Sequence, residues 1–150
     1  MTLDANLDRD VRLFVYRFFL EAGRPPVPAE TAAALVSTSA RVEASLRRLA
    51  DDHALVLAPG TPYIWMANPL SALPTPFQVE AKGQTWFANC IWDALGIPAM
   101  LKADGPVRSW CADCAAPMAL EVKAGHVQEG PGVLHFAVPA ASWWDDIGHT

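Results

Sequence analysis

Two groups of residues in this 150-residue chain have types and spacing that could do chemistry: Cys90 with Asp93, and Cys111 with Cys114. The pattern of Thr85–Leu95 predicts a helix, closed by Gly96 and by Pro98 two residues on. Residues three apart on a helix share a face, so Cys90 and Asp93 would be neighbours. A carboxylate raises a nearby thiol's pKa by charge repulsion. That is the opposite of the positive field or base that usually activates a nucleophilic cysteine. The pair makes better sense if a soft cation takes the thiolate and the carboxyl group moves a proton. Thiolates prefer soft metals, and metal binding releases the thiol proton. On spacing alone a plainer reading stands ahead of this one: a buried structural cysteine and an aspartate bonded to backbone.

Cys111-x-x-Cys114 is half of a zinc site. The other half should be a second such pair or two closely spaced histidines. The later histidines are His126, His135 and His149, and their spacing is not the customary one. A redox disulfide would need a thioredoxin-like strand–helix context, which is not apparent around the pair. The plain reading is a turn with one buried and one exposed thiol. Three cysteines, an odd number, do not make a disulfide framework. Elsewhere His53 follows a predicted helix and would face its C-terminal carbonyls, and His149 is expected to be solvated. Trp86, Trp92, Trp110, Trp143 and Trp144 are expected mostly in the core or at a rim, and Asp145 and Asp146 beside a tail helix. No glycine-rich phosphate loop, Ser–His–Asp order or metalloprotease motif is present.

The elements that must position these residues fall into two parts. With 52% hydrophobic and 18% charged residues, the chain is not disordered. Its apolar stretches, such as Leu13–Leu20, are interrupted and too short to span a membrane. Asp4, Asp8 and Asp10 stand where a secretory signal would need a basic and then an apolar region, so a cytoplasmic protein is expected. In the N-terminal part, Val11, Phe14, Val15, Phe18, Phe19 and Ala22 follow helical spacing. Asp8 and Asp10 suit the helix start, and Gly23, Pro25 and Pro26 its end. A second helix is predicted from Pro28 to Val36. A third is capped by Ser39 and carries Val42, Leu46 and Leu49 on its apolar side. Ala54–Ala58 and Tyr63–Ala67 flank Pro59-Gly60-Thr61 as a hairpin. Three helices and a hairpin in this order look like a winged helix. Its third helix bears Arg41, Arg47 and Arg48 against Glu43, Asp51 and Asp52. Residues 1–66 hold seven Lys or Arg and eight Asp or Glu, and the whole chain carries −5, so nucleic acid finds no basic surface here.

The expected organisation is therefore α+β: a winged-helix-like module over 1–67, a proline-rich extended connector over 68–76 lying against the protein, and a strand-rich domain with one central helix over 77–150. In the last part Phe77–Glu80, Val107–Cys111, Pro117–Val122 and Val133–Val138 read as strands. Lys82-Gly83 is a turn, and Ala141–Ile147 makes at least one helical turn. The helical module alone has a marginal core, so the two parts should pack together.

The segment Asn89–Ala99 resembles the signature of the alkylmercury lyase (organomercurial lyase) family. So does Val107–Pro117, and so do His135-Phe136, Val138-Pro139 and Trp143–Ile147 after it. The similarity runs in order over about residues 77–150, and the family's degenerate winged-helix-like N-terminus fits 8–67. The resemblance implies protonolysis of carbon–mercury bonds, with release of a hydrocarbon and retention of mercury(II). It gives Cys90 the role of mercury-binding thiolate and Asp93 that of proton relay, and it makes Cys111 a structural cysteine. Trp92 or Phe87 would line the pocket. The family's second catalytic cysteine lies just after the stretch matching Trp143–Thr150, and no cysteine follows Cys114 in this sequence. Cys114 or a small-molecule thiol is the candidate to fill its place. No organic cofactor is required; mercury(II) is the bound product, and zinc at Cys111 and Cys114 is the lesser alternative. The expected partners are a small organomercurial or other soft electrophile and small-molecule thiols, with no membrane and no DNA. Two alternatives remain open: a same-fold protein that captures a soft metal or electrophile without cleavage, and a winged-helix regulator that senses metal through its thiols. The substrate and the oligomeric state are not legible in the sequence.

Overall fold

The computed structural model describes residues 3–128, 130 and 133–148. Three helices come first: α1 (Leu3–Ala22), α2 (Pro28–Ala34) and α3 (Ser39–Asp51). In α1, Val11, Val15 and Phe19 form the buried stripe that the spacing predicts. The helix begins earlier than expected, so Asp4 rather than Asp8 or Asp10 occupies its first turn. Asp8 instead holds the Arg48 guanidinium through two bonds of 2.6 and 2.9 Å, tying α1 to α3. Gly23, at φ 71°, ends α1 in the left-handed conformation glycine adopts readily. Pro28 opens α2, and Glu30 accepts from the Val27 N–H at 2.8 Å. That helix stops at Ala34, before the predicted Val36, because Val36 turns left-handed and Ser37 N–H bonds back to Ala32 O. The cap of α3 is Thr38, whose Oγ1 accepts from Arg41 N–H; Ser39 is the first helical residue.

Eight antiparallel strands follow in one sheet of order β1-β2-β3-β5-β4-β6-β7-β8. The predicted hairpin is β1 (Val56–Leu57) with β2 (Ile64–Ala67). Segment 68–76, expected as a connector, contributes β3 (Leu70–Ser71), which pairs with β2 and with β5. Next come β4 (Phe77–Ala81) and β5 (Gln84–Ala88), joined by left-handed Lys82 and Gly83. After them come α4 (Ile91–Leu101), β6 (Gly105–Trp110), β7 (Pro117–Lys123) and β8 (His126–Val127). Gly105 is required sterically, since a Cβ there would collide with the Glu80 carbonyl oxygen across the sheet. A 3-10 helix over Ala140–Asp145 fulfils the expectation of a helical turn in the tail.

Two further expectations fail. Thr85–Ala88 is strand, with Trp86 opposite Val79, and the helix runs from Ile91 through Gly96 and Pro98 to Leu101. Thr85, Trp86 and Phe87 are β-formers next to a tight turn, and pairing with β4 outweighs the helical spacing. Val133–Val138 forms no strand: the sheet edge is taken by β8, and Val133 stands 86% exposed. One apolar cluster joins Val11, Val15, Val42 and Leu46 of the helices to Ile64, Leu70, Val79, Ile97 and Val107 of the sheet and α4. Helices and sheet therefore share a core. Among the described residues no helix is long and apolar enough to cross a membrane.

Candidate active site

Cys90 is the N-cap of α4, in extended conformation between the end of β5 and the first helical turn. Asp93 is the third residue of that turn. This is the separation at which a capping side chain and a first-turn carboxylate meet. The Cys90 Sγ lies 3.7 Å from Asp93 Oδ2 and donates toward it. The sequence thus brings the pair together for a different reason from the one expected, since Cys90 precedes the helix rather than sitting on its face.

Asp93 is held from behind. The Asn89 amide Nδ2 donates to Asp93 Oδ2 at 3.2 Å and to Asn68 Oδ1 at 3.0 Å. Tyr16 of α1 donates its hydroxyl to Asn68 O at 2.8 Å, so the first helix braces the loop that braces the carboxylate. Asn89 Oδ1 is buried with no hydrogen-bond partner among the described residues. Tyr16 and Asn68 have no expected role in the sequence, and Asn89 enters there only as the first residue of the Asn89–Ala99 segment. The available signal was a phenol on an otherwise apolar helix stripe and an amide directly before the cysteine.

Cys90 and Asp93 open on a cavity of about 300 Å³. Met66, Asn68 and Trp92 form part of its wall, and Phe136, Trp143 and Trp144 close the other side. Of the two aromatic residues expected there, Trp92 lines the cavity and Phe87 is not among its lining residues. The 3-10 helix is fastened by Trp143 Nε1 donating to Val138 O at 2.9 Å. It is fastened again by Trp144, which stacks flat on the His53 ring at 4.0 Å. His53 therefore uses its ring for this contact. Trp86 is core, and Trp110 is half-exposed.

Burial dominates the electrostatics. It pushes the Cys90 thiol above its ordinary value; the N–H groups of Asp93 and Trp92 oppose this, and the Asp93 charge adds to it. The expected charge repulsion is thus present but secondary to desolvation. Burial also raises Asp93, against the bonds from Asn89 and Cys90. Burial thus shifts both groups in the same direction, toward holding a proton. Tyr16 is raised as well, first by burial.

Cys111 and Cys114 lie elsewhere, on the turn between β6 and β7. Neither is among the residues lining the cavity at Cys90. Cys111 is half-buried on the wall of a second cavity of about 370 Å³, and Cys114 is exposed. The Cys111 thiol is lowered by N–H groups of Cys114 and Asp113 and by the Cys114 thiol. His135 lines the same cavity, and His126 is exposed on β8. Among the described residues no three His, Cys, Asp or Glu side chains gather as a metal site. His149 lies outside the described residues.

A family model, alkylmercury lyase (MerB), matches residues 70–150, from β3 through the 3-10 helix. The chain belongs to the alkylmercury lyase family. A crystal structure described as the mercury-bound form of MerB2 superposes with a TM-score of 0.59 at 22% identity. The match covers 82% of this chain and 66% of that one, so this chain spans a little under two-thirds of the solved relative. No curated protein matches the chain. The α+β fold of this family member, with Cys90 and Asp93 inside the matched region, is the setting for its chemistry.

Proposed function

We propose that this alkylmercury lyase family member cleaves carbon–mercury bonds by protonolysis, using Cys90 and Asp93. The observation that carries the reading is the 3.7 Å approach of a thiol to a desolvated carboxyl group inside an aromatic-walled cavity. The substrate is an organomercurial carried as its adduct with a small-molecule thiol, R–Hg–SR′. The Cys90 sulfur bonds to mercury as its proton passes to Asp93. Asp93 then delivers that proton to the carbon as the carbon–mercury bond breaks. Hydrocarbon R–H leaves, and mercury(II) stays between Cys90 and the external thiolate. Atoms and charge balance with no redox change and no organic cofactor. Burial makes Asp93 a better base toward the thiol than an exposed carboxylate, and a positioned acid of this kind contributes about 10²–10⁴ in rate. A cavity of 150 Å³ already admits benzene, so the observed volume has room for an aryl or short alkyl group.

A second reading, capture of a soft electrophile without cleavage, is favoured by one observation: Cys90 is the one thiol among the residues lining this cavity. Nucleic acid has no part in either reading, because Arg48 is engaged by Asp8 and Arg47 by Glu43. The test is hydrocarbon release from phenylmercury by reduced protein with excess small thiol, with a Cys90→Ser control. Release that depends on Cys90 supports the lyase. Stoichiometric mercury retention on Cys90 without benzene supports capture.

A further inference from the structure

We propose that Cys111 and Cys114 form a second site, a two-thiolate clamp for mercury(II) that takes the ion over from Cys90. For the origin of that ion, the inference rests on the function proposed above. The turn that carries the pair is closed by Cys111 N–H to Ala116 O at 2.8 Å and Ala115 N–H to Cys111 O at 2.9 Å. Ala115 adopts φ 56° to complete it. Cys111 and Cys114 are the first and fourth residues of this single turn, the separation at which side chains on one turn face the same side.

The donor count selects the ion. Tetrahedral zinc needs four ligands, and no third His, Cys, Asp or Glu joins the pair among the described residues. A thiophilic ion satisfied by two collinear thiolates needs nothing more. Mercury(II) is such an ion, and thiolates select soft metals.

The cavities beside Cys111 and Cys90 are neighbours. The cavity with Cys111 on its wall shares Phe77, Ile91 and His135 with a smaller cavity of about 260 Å³. That smaller cavity is lined in turn by Cys90. Cys90 and Cys111 thus line two neighbouring cavities that share walls over the start of α4. Transfer is ligand exchange. The Cys90–Hg and Hg–SR′ bonds break, and bonds to Cys111 and Cys114 form. The two protons those thiols give up pass to Cys90 and to the departing small thiol. Two linked donors hold the ion better than two separate ones, by about 10²–10⁴-fold for a well-matched pair.

The experiment uses mercuric chloride alone, so its outcome is independent of carbon–mercury cleavage. Reduced full-length Cys90→Ser protein is loaded with one equivalent and challenged with excess 2-mercaptoethanol. The clamp predicts one mercury retained per chain, with two sulfur neighbours by X-ray absorption. Adding Cys114→Ser, at an exposed position and with the fold checked by circular dichroism, should weaken retention by about 10²–10⁴-fold. Equal retention by both variants, or no retention by Cys90→Ser, overturns the proposal. In the unsubstituted protein, one equivalent should protect Cys111 and Cys114 from alkylation and leave Cys90 reactive; the reverse pattern contradicts the transfer. Failure of benzene release, by contrast, would remove the lyase reading and leave these results standing.

Discussion

Cys90 and Cys111 are both half-buried thiols next to a tight backbone feature, yet their surroundings push them in opposite directions. Cys90 caps a helix, where N–H groups should favour a thiolate, but desolvation wins and its pKa rises. Cys111 sits on a surface turn, where the same kind of N–H contact meets little desolvation and its pKa falls. A helix N-terminus therefore does not by itself activate a cysteine; the balance of burial against hydrogen bonding decides. The buried thiol shares its proton with an equally buried carboxyl group, an arrangement suited to bond cleavage. The surface thiol shares its turn with a second sulfur, an arrangement suited to holding an ion.

The largest effect expected on the Cys90 side is from Asp93→Asn. Hydrocarbon release in a single turnover should fall by about 10²–10⁴-fold while organomercurial binding persists. The pH profile comes next. The active pair carries one proton in total, so kcat/KM should be bell-shaped. The acid limb reflects Asp93 and lies above the ordinary carboxyl value; the alkaline limb reflects Cys90 and lies above the ordinary thiol value. Asp93→Asn should abolish the acid limb. Stability has its own sign. Between 3.8, where the unfolded chain releases the Asp93 proton, and the higher value in the folded protein, the folded state binds more protons. Stability therefore falls as pH rises through that window, and Asp93→Asn should flatten this dependence in denaturant titrations.

Alkylation compares the two regions directly. With limiting iodoacetamide near neutral pH, Cys111 should react faster than Cys90 by roughly tenfold or more, read by peptide mass mapping. Equal rates would break the comparison. The smallest effect is from Tyr16→Phe, which removes the 2.8 Å bond to Asn68 O. It should cost about 1 kcal/mol of stability by urea denaturation. It should also slow hydrocarbon release modestly, because Asn68 steadies Asn89 and hence Asp93. The Cys111 alkylation rate should not change.

How much of this was legible depended on how local the signal was. Val11, Val15 and Phe19, or Val42, Leu46 and Leu49, mark their helices because one face of each must be buried, and all six are. Thr85–Ala88 misled because Trp86 and Ala88 alternate inward in a strand, yet also fit a helix that continues into Ile91. Pairing with β4 decides, and a partner strand is not visible in the segment itself. Cys90 and Asp93 were legible because three-residue spacing brings side chains together both on a helix and across its cap. The brace of Tyr16, Asn68 and Asn89 was not, since it joins residues 52 and 21 positions apart. The cavity wall from Phe136 to Trp144 was equally hidden, because it depends on a tail that folds back without strand pairing.

The central claim is that Cys90 and Asp93 pass one proton to a carbon leaving mercury. Its most direct test is a single turnover of phenylmercury by reduced protein with excess small thiol, followed by gas chromatography of benzene. About one benzene per chain is expected from the unsubstituted protein. Cys90→Ser should release none above background, and Asp93→Asn should keep phenylmercury bound to Cys90. Equal benzene from Asp93→Asn, or phenylmercury held intact by the unsubstituted protein, would contradict the claim.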